Sequence, residues 1–263
     1  MNPFLPGALV AAAVSLLPAT ATPQRAAQVS CSNPVYLTLD TGNMRHAELI
    51  AGILQRRGVR ATFFLANEDT SSGGALGLRW EAYWKERVKE GHAFGSHTYD
   101  HVYFSAAAPD ASPTLRARPQ FGEQAGQTSA WDRDAVCREI GRVDERFRQV
   151  TGRPLDRVWR VPGGRGPKIL FEMASSCGWQ HVGWTPAGFL GDELPSDRHP
   201  NQALLARALA SIRSGDILMA HLGIRSRKDP YAPTLDALIA GLQARGFCFA
   251  TIPENPSFVA SRP

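Results

Sequence analysis

Two histidines, His97 and His101, carry the clearest chemical signal in the chain. They lie four residues apart, directly after the apolar run His92–Ser96, which we predict to be a strand. If the backbone then coils into a helical turn, both imidazoles can face one point. Imidazole nitrogen is a preferred ligand of zinc, so this spacing predicts a divalent metal site. The alternative for the pair taken alone is two surface histidines or a hydrogen-bonded pair in the core.

Four more side chains suited to chemistry lie at other predicted strands. They are Asp40 after the first strand, Arg160 in the fourth, Trp184 at the end of the fifth and His221 at the end of the sixth. In a parallel α/β architecture the carboxyl ends of the strands share one face, where sites form. We therefore expect these groups to surround the two histidines, and this convergence favours a metal site over the alternative.

Seven short apolar runs are the predicted strands that position these groups. Six of them follow a glycine suited to the left-handed position just past a helix end. The strands are residues 35–39, 59–65, 92–96, 158–161, 179–184, 216–221 and 247–251, and the glycines are Gly58, Gly91, Gly152, Gly178, Gly215 and Gly246.

The segments between the strands show helical periodicity, with apolar residues recurring every three or four positions. Thr128 or Ser129 is the predicted N-cap of the first periodic set. Alternating strands and helices predict a parallel sheet covered by helices, either a barrel or an open doubly wound sheet. The periodic sets are Val136, Ile140, Val143, Phe147 and Val150; Leu205, Leu209 and Ile212; and Leu235, Leu238, Ile239 and Leu242.

Two stretches, residues 105–127 and 186–200, have no such periodicity. Long loops in a compact domain are often lids or binding loops, and a disordered surface insertion is the alternative for the first stretch.

The amino terminus predicts export. The apolar run Phe4–Leu17 is too short to span a bilayer, and Ala19-Thr-Ala21 after it fits a cleavage site, so residues 1–21 form a predicted signal peptide. No Lys or Arg precedes the run, and a retained anchor is the alternative. We expect a periplasmic or extracellular protein with no stable membrane span.

The four cysteines become candidates for disulfides in an exported protein. None has metal-site spacing; three pairings are available, and buried free thiols are the alternative. The net charge of +5 suggests attraction to anionic surfaces. The basic residues are dispersed, without the aromatic interleaving of single-strand binders, so we predict a basic solvated face and no nucleic-acid partner.

Four motifs occur in a recognisable order: Thr38–Gly42 (TLDTG), His97–His101 (HTYDH), Arg160–Gly164 (RVPGG) and Ile217–His221 (ILMAH). Together they resemble the polysaccharide deacetylase family, the NodB-like carbohydrate esterases, over about residues 33 to 253. The family fold is a distorted (β/α) barrel of about seven parallel strands, in agreement with the strand count. The resemblance implies a catalytic domain over residues 33–263, preceded by a short segment, residues 22–32.

The resemblance also implies roles for the strand-end residues. His97 and His101 match ligands of zinc or another divalent cation, which polarises an acetamide carbonyl and activates water. Asp40 matches the general base and Arg160 the residue that holds that base ionised. His221 matches the general acid that protonates the departing amine.

Substrate contacts are implied for Trp184, Pro162 and Gly163, with Trp184 in the apolar wall around the acetyl methyl. Gly163 departs from the family, which usually has an aromatic residue at that position of the third motif.

Two further departures concern the metal and the acid. Thr41 stands where the family usually has a second Asp as metal ligand, and a neutral hydroxyl is a poor zinc ligand. We predict either that Thr41 occupies that ligand position or that two histidines and water bind the metal. The usual Asp partner of His221 is absent from Thr185–Phe189, which leaves Asp192 or Glu193 to reach it.

The sequence thus predicts an exported, monomeric, metal-dependent N-deacetylase of N-acetylated sugars in a polymer such as peptidoglycan. The alternative is an inactive carbohydrate-binding protein derived from this family, which the departure at Thr41 favours. Because the first and last strands of a barrel are neighbours, we predict a Cys31–Cys248 disulfide, with Cys137 paired to Cys177.

Overall fold

A curled parallel sheet forms the centre of the computed structural model, which describes residue 1, residues 31–107 and residues 114–259. The predicted signal peptide beyond Met1 and residues 22–30 of the short segment that follows it lie outside the described residues. The strands of the described residues are β1 (Pro34–Asp40), β2 (Thr62–Leu65), β3 (Asp69–Thr70), β4 (Gly73–Gly74), β5 (Ala93–Ser96), β6 (Tyr103–Ala106), β7 (Leu115–Arg118), β8 (Ser129–Trp131), β9 (Val158–Trp159), β10 (Gln180–His181), β11 (Ile217–His221) and β12 (Cys248–Phe249). Seven of them form the central sheet, in the order β10-β9-β5-β2-β1-β11, with β12 pairing the start of β1.

Helices cover the outer face of this sheet. The helices are α1 (Ala47–Arg57), α2 (Glu81–Lys89), α3 (Arg133–Thr151), α4 (Lys168–Ser176), α5 (Asn201–Ser211), α6 (Thr234–Ala244) and α7 (Pro256–Val259). Neighbouring helices pack against each other, α3 on α4 and α5 on α6.

All pairings within the seven-stranded sheet are parallel, and the segment after β10 pairs with β11, which itself pairs with β1, so the sheet closes on itself. This closure confirms the predicted α/β barrel over the open doubly wound alternative. The barrel is distorted because β9 and β10 have two residues each. The segment after β10 closes the remaining gap: the Thr185 amide donates to the Ile217 carbonyl (3.1 Å), and Phe189 bridges Met219 of β11.

The predicted glycines and two of the three helical faces agree with the structure. All six glycines have positive φ, and Gly58 and Gly152 directly cap α1 and α3. The third predicted face is confirmed in part: Ile212, just past α5, is fully buried, and Leu205 and Leu209 pack half-buried against the core. The fully buried residues within α5 are Leu204 and Ala208.

Two other local predictions were wrong. The N-cap of α3 is Asp132, whose carboxylate accepts from the Ala135 amide (2.8 Å), whereas Ser129 belongs to β8. The stretch 105–127 is no simple loop, because β6, β7 and β8 form an antiparallel sheet there whose inward residues Leu115 and Ala117 are buried.

Two disulfides tie the fold together, Cys31 to Cys248 and Cys137 to Cys177, as predicted. The first joins the residues just before β1 to β12, and the second links α3 to the end of α4. Since disulfides persist in oxidising compartments, both are compatible with export.

Candidate active site

Asp40 and His221 lie side by side at the carboxyl end of the sheet. β1 and β11 pair in parallel with Asp40 opposite His221, and the Asp40 carbonyl accepts from the Leu222 amide (2.9 Å). β1 is buried along its length because β2 and β11 flank it and helices cover it. The register therefore brings the predicted base and the predicted acid to one point.

Arg160 directly follows β9, which β5 and β2 separate from β1, and its side chain reaches the Asp40 carboxylate at the end of β1. Its Nη1 donates to Asp40 Oδ1 (2.8 Å), while Nε and Nη2 donate to the carbonyls of Val182 and Gly183, each at 3.0 Å. The guanidinium is 0% exposed and lies 4.2 Å from the ring centre of Phe64. Backbone and side-chain acceptors thus fix a fully buried positive charge beside Asp40.

The charge state of Asp40 follows from these neighbours. Burial by itself would raise the pKa of the Asp40 carboxyl, but the charges of Arg160 and His221 and the hydrogen bond from Arg160 outweigh it and hold the pKa below its usual range. Asp40 is therefore ionised at neutral pH, with Oδ2 3.6 Å from Nε2 of His97.

His97 and His101 come together, although not through a helical turn. Thr98 and His101 have φ of 58° and 49°, and this left-handed turn places the two imidazole centres 5.0 Å apart. Left-handed backbone costs a non-glycine residue about 1 to 3 kcal/mol, so surrounding contacts must hold the turn. The Val102 amide donates to Thr98 Oγ1 (2.8 Å), and the Asp100 amide donates to Glu139 Oε1 (2.6 Å).

The two imidazoles fit a divalent cation. Nδ1 of His97 donates to the Arg160 carbonyl (3.0 Å). This contact orients metal-bound histidines and leaves the Nε2 lone pair available. Nδ1 of His101 is buried and has no hydrogen-bond partner within the described structure. Burial lowers the pKa of His101 and lowers that of His97 to about 3, so both rings are neutral and offer lone pairs.

A third ligand is not preassembled around these rings. Within residues 31–107 and 114–259, no three His, Cys, Asp or Glu side chains form a ready metal cluster. Two oriented imidazoles and an ionised carboxylate nonetheless provide the donor types that zinc takes in proteins.

Asp192 is the partner of His221, which resolves the choice between Asp192 and Glu193. Its carboxylate oxygens lie 3.1 Å from His221 Nδ1, and one accepts the His221 amide (2.7 Å). Burial would lower the pKa of His221, but Asp192, Asp40 and Glu193 raise it to about 9. The ring is therefore protonated at neutral pH, and with Nδ1 donating to Asp192 it keeps an Nε2 proton to give.

Thr41 is 0% exposed, and its hydroxyl is occupied by hydrogen bonds. Oγ1 donates to Oε1 of Glu68 (2.8 Å) and accepts from the Ala66 amide (3.1 Å). Sequence reasoning missed Glu68. One signal could have found Glu68. It follows β2, and the sequence motifs assign no functional side chain to the end of that strand.

The predicted substrate residues border the same face. Trp184 stacks on Phe189 with 6.4 Å between ring centres, and the Arg160 guanidinium lies 5.5 Å from the Trp184 ring. Pro162 is buried, and Gly163 has a φ of 72°. A Cβ at Gly163 would lie 3.0 Å from the Tyr103 ring, so the ring packs closely over this glycine.

Comparison with solved structures defines the class of fold. A CE4 family pseudoenzyme from Bacillus anthracis superposes with a TM-score of 0.61 at 19% identity, covering 85% of this chain and 65% of that one. A mutant of that pseudoenzyme is described as having restored enzymatic activity. The barrel is therefore that of the CE4 carbohydrate esterases.

The chain belongs to the polysaccharide deacetylase family, whose model, described as Polysaccharide deacetylase, matches residues 28–182. Asp40, His97, His101 and Arg160 lie within this match, and His221 follows it. The uncharacterized protein YlxY of Bacillus subtilis is 24% identical over 209 residues, 80% of this chain, and the chain spans only 52% of its length. A peptidoglycan-N-acetylglucosamine deacetylase of Bacillus cereus is 23% identical over 84% of this chain and 86% of its own length.

Proposed function

We propose that the protein is a metal-dependent N-deacetylase that hydrolyses acetamide groups of N-acetylated sugars in a polysaccharide such as peptidoglycan. The observation that carries the proposal is the pairing of β1 with β11. It sets an ionised carboxylate, Asp40, beside a protonated imidazole, His221, at the edge where two neutral imidazoles converge. Amide hydrolysis requires a general base for the attacking water and a general acid for the departing nitrogen, both close to the same amide group.

Asp40 would take a proton from a water that adds to the acetamide carbonyl carbon. His221 would then donate its Nε2 proton to the sugar nitrogen as the C–N bond breaks, which releases acetate and a free amine. Arg160 keeps Asp40 ionised, and Asp192 keeps His221 protonated, so each group starts in the form its step needs. Both partners are already hydrogen-bonded, which limits reorganisation during the reaction.

His97 and His101 are the residues that would hold the cation. A bound zinc or other divalent ion supplies Lewis acidity to the carbonyl and lowers the pKa of water. We assign Trp184, Pro162 and Gly163 to the wall that receives the sugar, with Trp184 facing the acetyl group.

We also propose that the protein is exported to the periplasm or extracellular space and acts there as a monomer. The two disulfides and the apolar amino-terminal run support this placement. No helix among the described residues is long and apolar enough to cross a membrane.

Acetate release tests the proposal. The purified protein, loaded with zinc, should release acetate from N-acetylglucosamine oligomers or peptidoglycan, and Asp40→Asn should release far less under the same conditions. Absence of acetate from every substrate with zinc, cobalt and manganese would contradict it.

A carbohydrate-binding protein without activity is the second candidate, and Thr41 in place of a ligand carboxylate favours it. Glycan binding without acetate release, and equal binding by Asp40→Asn, would support that function.

A further inference from the structure

We propose that Glu68 supplies the carboxylate ligand that position 41 lacks, and that Thr41 orients it. The proposal rests on the metal-dependent function above and deepens it: the third ligand would come from the segment after β2 instead of from the end of β1. Carboxylate oxygen beside two imidazoles is a donor set that zinc takes in catalytic sites.

Glu68 is anchored at the end of β1 by two donors. Its Oε1 accepts the Thr41 hydroxyl (2.8 Å) and the Gly42 amide (2.7 Å), which are the two residues directly after Asp40. Glu68 is 9% exposed and Thr41 is fully buried. A side chain from the neighbouring strand therefore brings a negative charge to the position that an aspartate at residue 41 would otherwise reach.

The second oxygen of this carboxylate is free to bind a ligand. Oε2 of Glu68 accepts no hydrogen bond from any described residue, while Oε1 has two donors. A carboxylate with one oxygen fixed and one open is suited to monodentate coordination.

The anchored carboxylate lies beside the residue whose side chain reaches the histidines. Its donors Thr41 and Gly42 directly follow Asp40, whose Oδ2 lies 3.6 Å from Nε2 of His97. The buried Nδ1 of His101 lacks a partner within the described structure, which is an independent sign that this ring awaits a ligand. Among the described residues these side chains do not form a ready three-ligand cluster, so the proposal requires a bound cation to draw Glu68 toward the two imidazoles.

The identity of residue 41 fits this arrangement. An aspartate there would bring a second negative charge to the oxygen of Glu68 that now accepts a hydrogen bond, and like charges at that distance repel. Threonine donates a proton to Glu68 instead, so the hydroxyl that is a poor ligand becomes a good positioner of one.

A purely structural role for Glu68, holding the turn at Thr41 and Gly42, predicts a different outcome. Removing the charge would then lower the melting temperature but leave zinc affinity unchanged. The measurement that separates the two is zinc affinity, which requires no catalytic turnover.

The test is competition titration of the full chain with a zinc chelator at one pH, for wild type, Glu68→Gln and Asp69→Asn. Asp69 is the matched control, because it is the adjacent acidic residue and is exposed. We expect Glu68→Gln to weaken zinc binding at least tenfold and Asp69→Asn to change it less than twofold. The visible spectrum of the cobalt-loaded protein should change only in Glu68→Gln.

Thr41→Asp combined with Glu68→Gln moves the carboxylate to the other strand and should regain most of the lost affinity, whereas Thr41→Asp alone should gain none. If Glu68→Gln does not fold, Glu68→Asp, which keeps the charge and shortens its reach, should show the same tenfold loss. Unchanged zinc affinity in the folded Glu68 variant would overturn the ligand assignment and leave the deacetylase proposal standing. A wild type that binds no zinc would overturn both.

Discussion

Replacing Asp192 with Asn should move the alkaline limit of activity. In the wild type the carboxylate of Asp192 is the main group that raises the pKa of His221 to about 9. Asparagine keeps the shape, and its amide oxygen can still accept the His221 amide. It removes the charge, however, and burial of the imidazole then favours the neutral form.

The size of the effect follows from the two protonation equilibria. With a pKa of about 9, roughly nine-tenths of His221 is protonated at pH 8. If the pKa falls to an ordinary value of about 6.5, only about one-thirtieth is protonated at that pH. Activity that needs the protonated acid should therefore fall by about thirtyfold at pH 8 and much less at pH 6.

The assay is the pH profile of kcat/KM for acetate release by wild type, Asp192→Asn and Glu193→Gln. Glu193 is the matched control, since it also raises the pKa of His221 but has no hydrogen bond to it. Its variant should shift the alkaline limb less than Asp192→Asn does. NMR titration of the His221 ring gives the same pKa without turnover, and a value near 9 in Asp192→Asn would refute the reasoning.

Three further predictions address the metal, the proton transfers and the fold. His101→Ala should lose the bound zinc after dialysis, and equal zinc content in mutant and wild type would contradict the ligand assignment. Asp40→Asn and His221→Ala should each lower turnover by about 10² to 10⁴ with metal content kept, and less than a tenfold change in both would exclude the base and acid roles. Cys31→Ser with Cys248→Ser should lower the free energy of unfolding by about 2 to 5 kcal/mol in denaturant titrations, and an unchanged midpoint would show that this disulfide adds no stability.

The central strands were predictable because parallel strands covered on both faces are continuous apolar runs. β1 is an example, buried from Val35 to Asp40. The face of α5 was predicted only in part, because its fully buried residues include Ala208, whose small side chain gives little periodic signal. The strands β6 and β7 were missed because their buried residues are few and lie within a segment rich in proline and alanine.

Spacing could identify site residues that share a motif, but not those that meet across the fold. Asp40, His97, Arg160 and His221 each belong to a recognisable local pattern. Glu68 belongs to none, and its contact with Thr41 spans 27 positions in the chain. Asp192 could be named only as one of two acids within reach, since loop conformation decides which of them turns toward His221.

The hydrogen bonds that hold the Arg160 guanidinium have a consequence for how the protein loses function on heating. Two of its donors end on carbonyls that follow β10, the outermost strand of the sheet and one of only two residues. Sheet edges open before cores do. When this edge frays, the guanidinium loses acceptors and can swing away, and the acidity of Asp40 changes while the interior is still intact. We therefore expect catalytic activity to be lost on heating at a temperature below the melting temperature of the whole fold, because the short strand at the sheet edge opens first.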